Sequence, residues 1–119
     1  VTERKRGKAH RRMTGKMLQD AAVELARSKG YMAAHFRQAP SRSGYITPYS
    51  YDTKGFPDLV LVSPVVQRMV VVEVKGDGDR MRDEQWVWLA AFDAAGVPTL
   101  ILTSKVWRAG ELEVLLDGP

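Results

Sequence analysis

Three residues of this 119-residue chain have types and spacing suited to chemistry: Asp58, Glu73 and Lys75. Asp58 opens the otherwise apolar run Pro57–Val62, and Glu73 interrupts the valines of Arg68–Lys75. Both runs are dense in β-branched residues and only Ser63–Gln67 separates them, which predicts an antiparallel hairpin. Folding it about Val65 and Val66 sets Asp58 opposite Glu73, Val60 opposite Val71 and Val62 opposite Met69. Opposed Cβ atoms lie roughly 4.5–5.5 Å apart, and two carboxylates so placed destabilise a sheet interior unless something positive joins them. A divalent cation or the Lys75 ammonium would serve. Oxygen donors without cysteine or a strand-paired histidine favour a hard ion, Mg²⁺ or Mn²⁺, which keeps waters and binds phosphate. Such an ion polarises a phosphoryl group and acidifies an attacking water, with Lys75 holding that water or stabilising developing charge. The plainer alternative has Asp58 capping a turn and Glu73–Lys75 as an ordinary cross-sheet ion pair. Register, valine context and the basic start of the chain together favour the chemical reading.

The elements that must position these groups are legible in outline. Met17, Leu18, Ala21, Ala22, Leu25 and Ala26 recur at helical spacing, which predicts a helix from the N-cap Thr14 to about Lys29, stopped by Gly30. Tyr31–Phe36 reads as a short strand. Arg37–Phe56 is rich in Pro, Ser, Gly and Tyr, and an unpatterned segment of that length in a small domain points to function. Its Arg37, Arg42 and Lys54, interleaved with Tyr45, Tyr49 and Tyr51, suit phosphates and unstacked bases, as against a tyrosine-rich loop packed on itself. Gly76-Asp77-Gly78-Asp79 lacks calcium-loop spacing and reads as a solvated turn. A second helix runs from about Arg82 to Ala95, ended by Gly96 and Pro98, and is apolar on nearly all sides. Core packing is the first expectation for Trp86 and Trp88, but one helix face cannot bury both rings, so one is expected to meet a second protomer. Thr99–Leu102 is a last buried strand, and Ser104–Leu116 forms either two helical pieces or a hairpin about Ala109-Gly110. The order α-β-β-β-α-β is that of a single α/β domain, a mixed sheet flanked by helices.

Charge is unevenly placed. Residues 1–16 hold seven basic residues (Arg4, Lys5, Arg6, Lys8, Arg11, Arg12 and Lys16) and one acid, Glu3, a net of +6. The other 103 residues hold eleven basic residues and thirteen acids, a net of −2. Residues 1–13 therefore read as a basic arm that grips phosphates, and residues 14–119 as the folded domain. With no cysteine there is no disulfide scaffold, zinc–thiolate site or thiol nucleophile. No apolar run is long enough to span a bilayer and nothing resembles a signal peptide, so the cytoplasm is the expected compartment and no membrane is expected as partner. His10 and His35 have no metal-site or general-base spacing, and a structural role is favoured for His35, with at most a minor part beside the site. Ser41, Ser43, Thr47 and Ser50 lack a histidine suited to a serine nucleophile.

Gly55-Phe56-Pro57-Asp58-Leu59-Val60 followed by Glu73-Val74-Lys75 resembles the PD-(D/E)xK nuclease signature. More narrowly, the stretch from about Thr14 to Leu102 is similar to the stand-alone VRR-NUC family of phages and bacteria. The ordered set includes Leu18-Gln19, Gly30-Tyr31, Thr47-Pro48, Glu73-Val74-Lys75-Gly76 and Glu84-Gln85-Trp86. The resemblance implies a restriction-endonuclease-like core and a metal-dependent endonuclease acting on DNA, with Holliday junctions or other branched forms as substrate. It implies Asp58, Glu73 and the Val74 carbonyl as ligands of Mg²⁺ or Mn²⁺, Lys75 as catalytic lysine, and Gln85 as a support of the site or a phosphate contact. Gln19 stands where many members carry Glu; its amide can orient water or coordinate, but brings no charge. Arg82 stands where relatives carry a capping Ser or Thr, with Asp79 or Asp83 as local substitutes. Relatives often dimerise, and a two-fold pair of sites suits a four-way junction. The competing expectation is a non-catalytic DNA-binding or assembly module that keeps the nuclease fold.

Overall fold

The structure, a computed structural model, describes residues 12–36 and 52–119. Helix α1 (Gly15–Ser28) starts where expected: the Thr14 hydroxyl accepts from Met17 N at 3.1 Å, satisfying one of the amides that a helix start leaves free. Its Leu18, Ala22 and Ala26 are fully buried. Four strands follow around it in sequence: β1 (Met32–His35), β2 (Leu59–Ser63), β3 (Arg68–Val74) and β4 (Thr99–Leu102). Helix α2 (Asp83–Ala94) links β3 to β4. The sheet runs β1-β2-β3-β4, antiparallel across the first two pairs and parallel between β3 and β4. It is the mixed sheet that the pattern predicts, flanked by helices.

The segment with two open alternatives is helical. Ser104–Arg108 forms α3 and Glu111–Asp117 forms α4, with Gly110 between them at φ 75°. The β2–β3 register pairs Val60 with Val71 and Val62 with Met69, as the hairpin spacing requires. Because side chains alternate along a strand, Leu59, Leu61, Val70, Val72 and Val74 face α1 and α4, where Leu112 and Leu116 complete the core. Val71 and Glu73 point to the α2 side and are buried as well. The Tyr31 hydroxyl donates to Leu116 O at 2.6 Å, fixing α4 to the end of α1.

The Gly76–Asp79 turn is not simply solvated. Asp77 accepts from Ser104 Oγ (2.7 Å) and from Met13 N (3.0 Å), while its own N–H donates to Met13 O at 3.1 Å. These bonds hold its carboxyl below the usual range, the Ser104 hydroxyl contributing most. Asp79 accepts from Gly76 N at 2.9 Å, so it does not cap α2. The Arg82 N–H at the start of α2 instead donates to Gln85 Oε1 at 2.8 Å. Neither Asp79 nor Asp83 takes the capping place, because Gln85 at the third helical position reaches back to it.

At Gly76 the turn touches α1 backbone to backbone. A Cβ there would drive into Gly15 N and lie 3.0 Å from Thr14 C. Gly76→Ala is therefore expected to cost about 1–3 kcal/mol, read as a lower urea midpoint at unchanged m-value.

Candidate active site

The Gly55–Asp58 turn delivers the first carboxylate. Gly55 has φ +82° and packs so closely on α2 that a Cβ would collide with Glu84, which sets how the chain enters β2. Asp58 lies just outside the strand instead of in it. Its Oδ2 accepts from Val74 N at 2.8 Å, replacing a ladder carbonyl where β3 outruns β2. The side chain thus extends the hairpin register by one row and brings its carboxylate beside Glu73.

Glu73 is 1 % exposed. Its Oε2 accepts from Gln85 Nε2 at 2.8 Å and lies 3.4 Å from Lys75 Nζ, while Oε1, also buried, has no hydrogen-bond partner. Burial, reinforced by the Asp58 charge, pushes its carboxyl up to about 7 despite Lys75, which acts in the opposite direction. Desolvation outweighs the nearby ammonium. Lys75 in turn donates to Gln85 Oε1 at 2.9 Å. Gln85, 6 % exposed on the first turn of α2, therefore bonds Glu73, Lys75 and the Arg82 N–H together.

Between Asp58 and the start of α1, a cavity of about 280 Å³ is lined by Gly15, Lys16, Gln19, His35, Asp58 and Val74. Gln19 does not reach the carboxylate pair by any hydrogen bond described; its Nε2 lies 3.3 Å from His35 Nδ1. Lys16 forms an exposed pair with Asp20 at 3.2 Å, a contact of small energetic weight.

The residues fit a divalent ion. Glu73 carries a buried, unpartnered oxygen beside a second carboxylate, the donors are all oxygen, and one ion would offset both charges. No three His, Cys, Asp or Glu side chains are grouped so as to hold a metal ion among the described residues. Protein would supply two carboxylates and a backbone carbonyl, leaving other positions to water and phosphate, as Mg²⁺ prefers.

Other expected contacts lie apart. Lys54 lines a separate cavity of about 500 Å³ with Asp52, Glu84, Val87, Trp88 and Ala91. Arg12 Nη2 donates to Asp77 O at 3.4 Å, tying the start of the domain to the β3–α2 turn. Arg4, Lys5, Arg6, Lys8, Arg11, Arg37, Arg42, Tyr45, Tyr49 and Tyr51 lie outside the described residues, as do His10, Ser41, Ser43, Thr47 and Ser50. Trp88 packs on Phe56 and Phe92 and donates to Asp52 O at 2.9 Å, whereas Trp86 is 52 % exposed and is not a core residue. His35, expected to be structural with at most a minor part beside the site, is exposed beside Asp58. Only the β1–β2 alignment could have revealed it, and the segment between those strands has no periodicity to set that alignment.

A mixed sheet whose central hairpin carries a carboxylate pair and a lysine, backed by helices on both faces, is a restriction-endonuclease-like α/β domain. The VRR-NUC domain model matches residues 2–106, and the chain belongs to that nuclease family. It is 49 % identical over 49 residues to the Fanconi-associated nuclease 1 homolog of Caenorhabditis elegans and 43 % identical over 49 residues to that of Caenorhabditis briggsae. Each match covers 41 % of this chain but 6 % of the relative's length. No solved structure matches the chain. No helix among the described residues is long and apolar enough to cross a membrane.

Proposed function

We propose that this chain is a DNA endonuclease dependent on Mg²⁺ or Mn²⁺, selective for branched forms such as Holliday junctions. The observation that carries the proposal is the buried Glu73 carboxylate, with one oxygen unpartnered beside Asp58 and the other held by Gln85 and Lys75. Asp58, Glu73 and the Val74 carbonyl would hold the ion. When bound, it supplies polarisation of the scissile phosphoryl group and a more acidic water. Lys75 positions that water or stabilises developing negative charge, and Gln85 fixes Lys75 against Glu73. Gln19 orients His35 on the opposite side of Asp58. Both names of the relatives contain the word nuclease, in keeping with this chemistry.

Residues 1–11 act as a phosphate-gripping arm; Arg12 and Met13, expected within that arm, are tied to Asp77 and belong with the folded domain. Deleting residues 1–11 is expected to weaken binding equally across DNA sequences and to flatten its salt dependence by up to roughly four logarithmic units per decade. Filter binding between 50 and 200 mM salt measures both. Exposed Trp86 and Val87 on α2 support a homodimer, which light scattering would register as twice the chain mass. The decisive experiment is a cleavage panel of junction, flap, single-stranded and duplex DNA with Mg²⁺ or Mn²⁺. Cleavage favouring branched DNA and stopped by chelation supports the proposal. Binding without cleavage on every form would instead mark a non-catalytic module.

A further inference from the structure

The β1–β2 register continues past the ends of the strands. His35 pairs with Leu59, and Phe36 N donates to Asp58 O at 2.8 Å, so Phe36 stands beside Asp58 as Asp58 stands beside Glu73. Phe36, Asp58 and Glu73 form one row across three strands, and neighbours in such a row share a face of the sheet. The ring contacts agree: Phe36 meets Phe56 edge-on at 5.1 Å, and Phe56 is braced by Trp88 and Phe92 of α2. His35, one residue earlier, turns to α1 and Gln19. Yet Phe36 remains 46 % exposed. A flat ring, backed by Phe56 and standing next to Asp58 in that row, is a surface for another flat group.

We propose that Phe36 is a stacking platform for an unpaired base of the DNA strand being cut, so that this site favours DNA whose nucleotide beside the cut is splayed from the duplex. The proposal rests on the nuclease reading above and names the substrate feature that it selects. In a paired duplex both faces of a base are covered by its neighbours, and only an unstacked base offers one to Phe36. Every base has such a face, so the preference follows DNA structure and not sequence.

Two measurements test it. The first compares cleavage, with Mn²⁺, of a fully paired duplex and the same duplex bearing one unpaired nucleotide beside the cut. The parent protein is expected to favour the unpaired substrate in kcat/KM, and Phe36→Ala or Phe36→Leu to reduce that ratio about tenfold. Phe36→Tyr should retain it. Phe36→Leu keeps apolar bulk on Phe56, and thermal melting shows whether each variant is folded. The second uses 2-aminopurine at the unpaired position and protein silenced by Lys75→Ala: binding should quench its fluorescence, and adding Phe36→Leu should abolish the quenching. Equal losses on both substrates, no preference in the parent, or quenching that survives Phe36→Leu would overturn the proposal. If the parent cuts no DNA at all, the nuclease reading falls, while the quenching result still decides the role of Phe36.

Discussion

Lys75→Ala and Glu73→Ala proteins are expected to bind DNA within a few fold of the parent and to cut it about a thousandfold more slowly. Lys75 Nζ is held 2.9 Å from Gln85 Oε1 and 3.4 Å from Glu73 Oε2, so its charge is aimed before substrate arrives. Preorganisation of that kind acts on the transition state, where charge develops, and much less on ground-state binding. Lys75→Arg should not rescue: the guanidinium is a planar fork that cannot take the place of a compact ammonium between Glu73 and Gln85. Gln85→Ala should fall between parent and Lys75→Ala, because it leaves both reacting groups present but lets them move. Single-turnover cleavage with Mn²⁺ separates the rate from binding, which anisotropy measures without metal. Undiminished nicking by a protein carrying both Asp58→Ala and Glu73→Ala would sink this account.

The hairpin was legible because two β-branched runs are joined by five residues, leaving little freedom in register. From that alone Asp58 falls opposite Glu73. What spacing does not convey is that Asp58 sits beyond the strand and uses its side chain as the ladder acceptor for Val74. The N-cap Thr14 and the stop of α1 were readable because capping is local chemistry. Long-range alignments were not. The segment between β1 and β2 has no repeat that dictates its path, so nothing in the sequence places His35 and Phe36 on either side of Asp58. The Asp77 clamp joins residues 64 and 27 positions apart, and no local pattern foretells it. Trp86 and Trp88 look alike in a uniformly apolar helix; the contacts with Phe56 and the Asp52 carbonyl, both distant in sequence, decide that Trp88 is the packed ring.

Glu73 should make metal-free protein lose stability as pH rises, opposite to the usual acidic residue. An ordinary glutamate titrates near 4.5, and in this fold Glu73 is pushed up to about 7 by burial and by Asp58. Below the lower value both states hold the proton. Between the two values the folded state keeps a proton that the unfolded chain has released, so unfolding becomes easier with each rise in pH. The loss amounts to about 3 kcal/mol and is complete somewhat above pH 7. A divalent ion held by Asp58 and Glu73 would take the proton's place, and at a hundred times its Kd would return about 2.7 kcal/mol at pH 8. Glu73→Gln separates these effects. Its amide oxygen can still accept from Gln85, its nitrogen can donate toward Asp58, and no charge is left to bury. Urea denaturation at pH 5 and pH 8 in chelator should show the parent losing stability relative to Glu73→Gln, with the variant the more stable at pH 8. Mn²⁺ should reverse that order while cleavage stays absent in the variant. A parent–variant difference that does not change with pH, or equal stabilisation of both by Mn²⁺, would show that Glu73 neither carries the buried charge nor holds the ion.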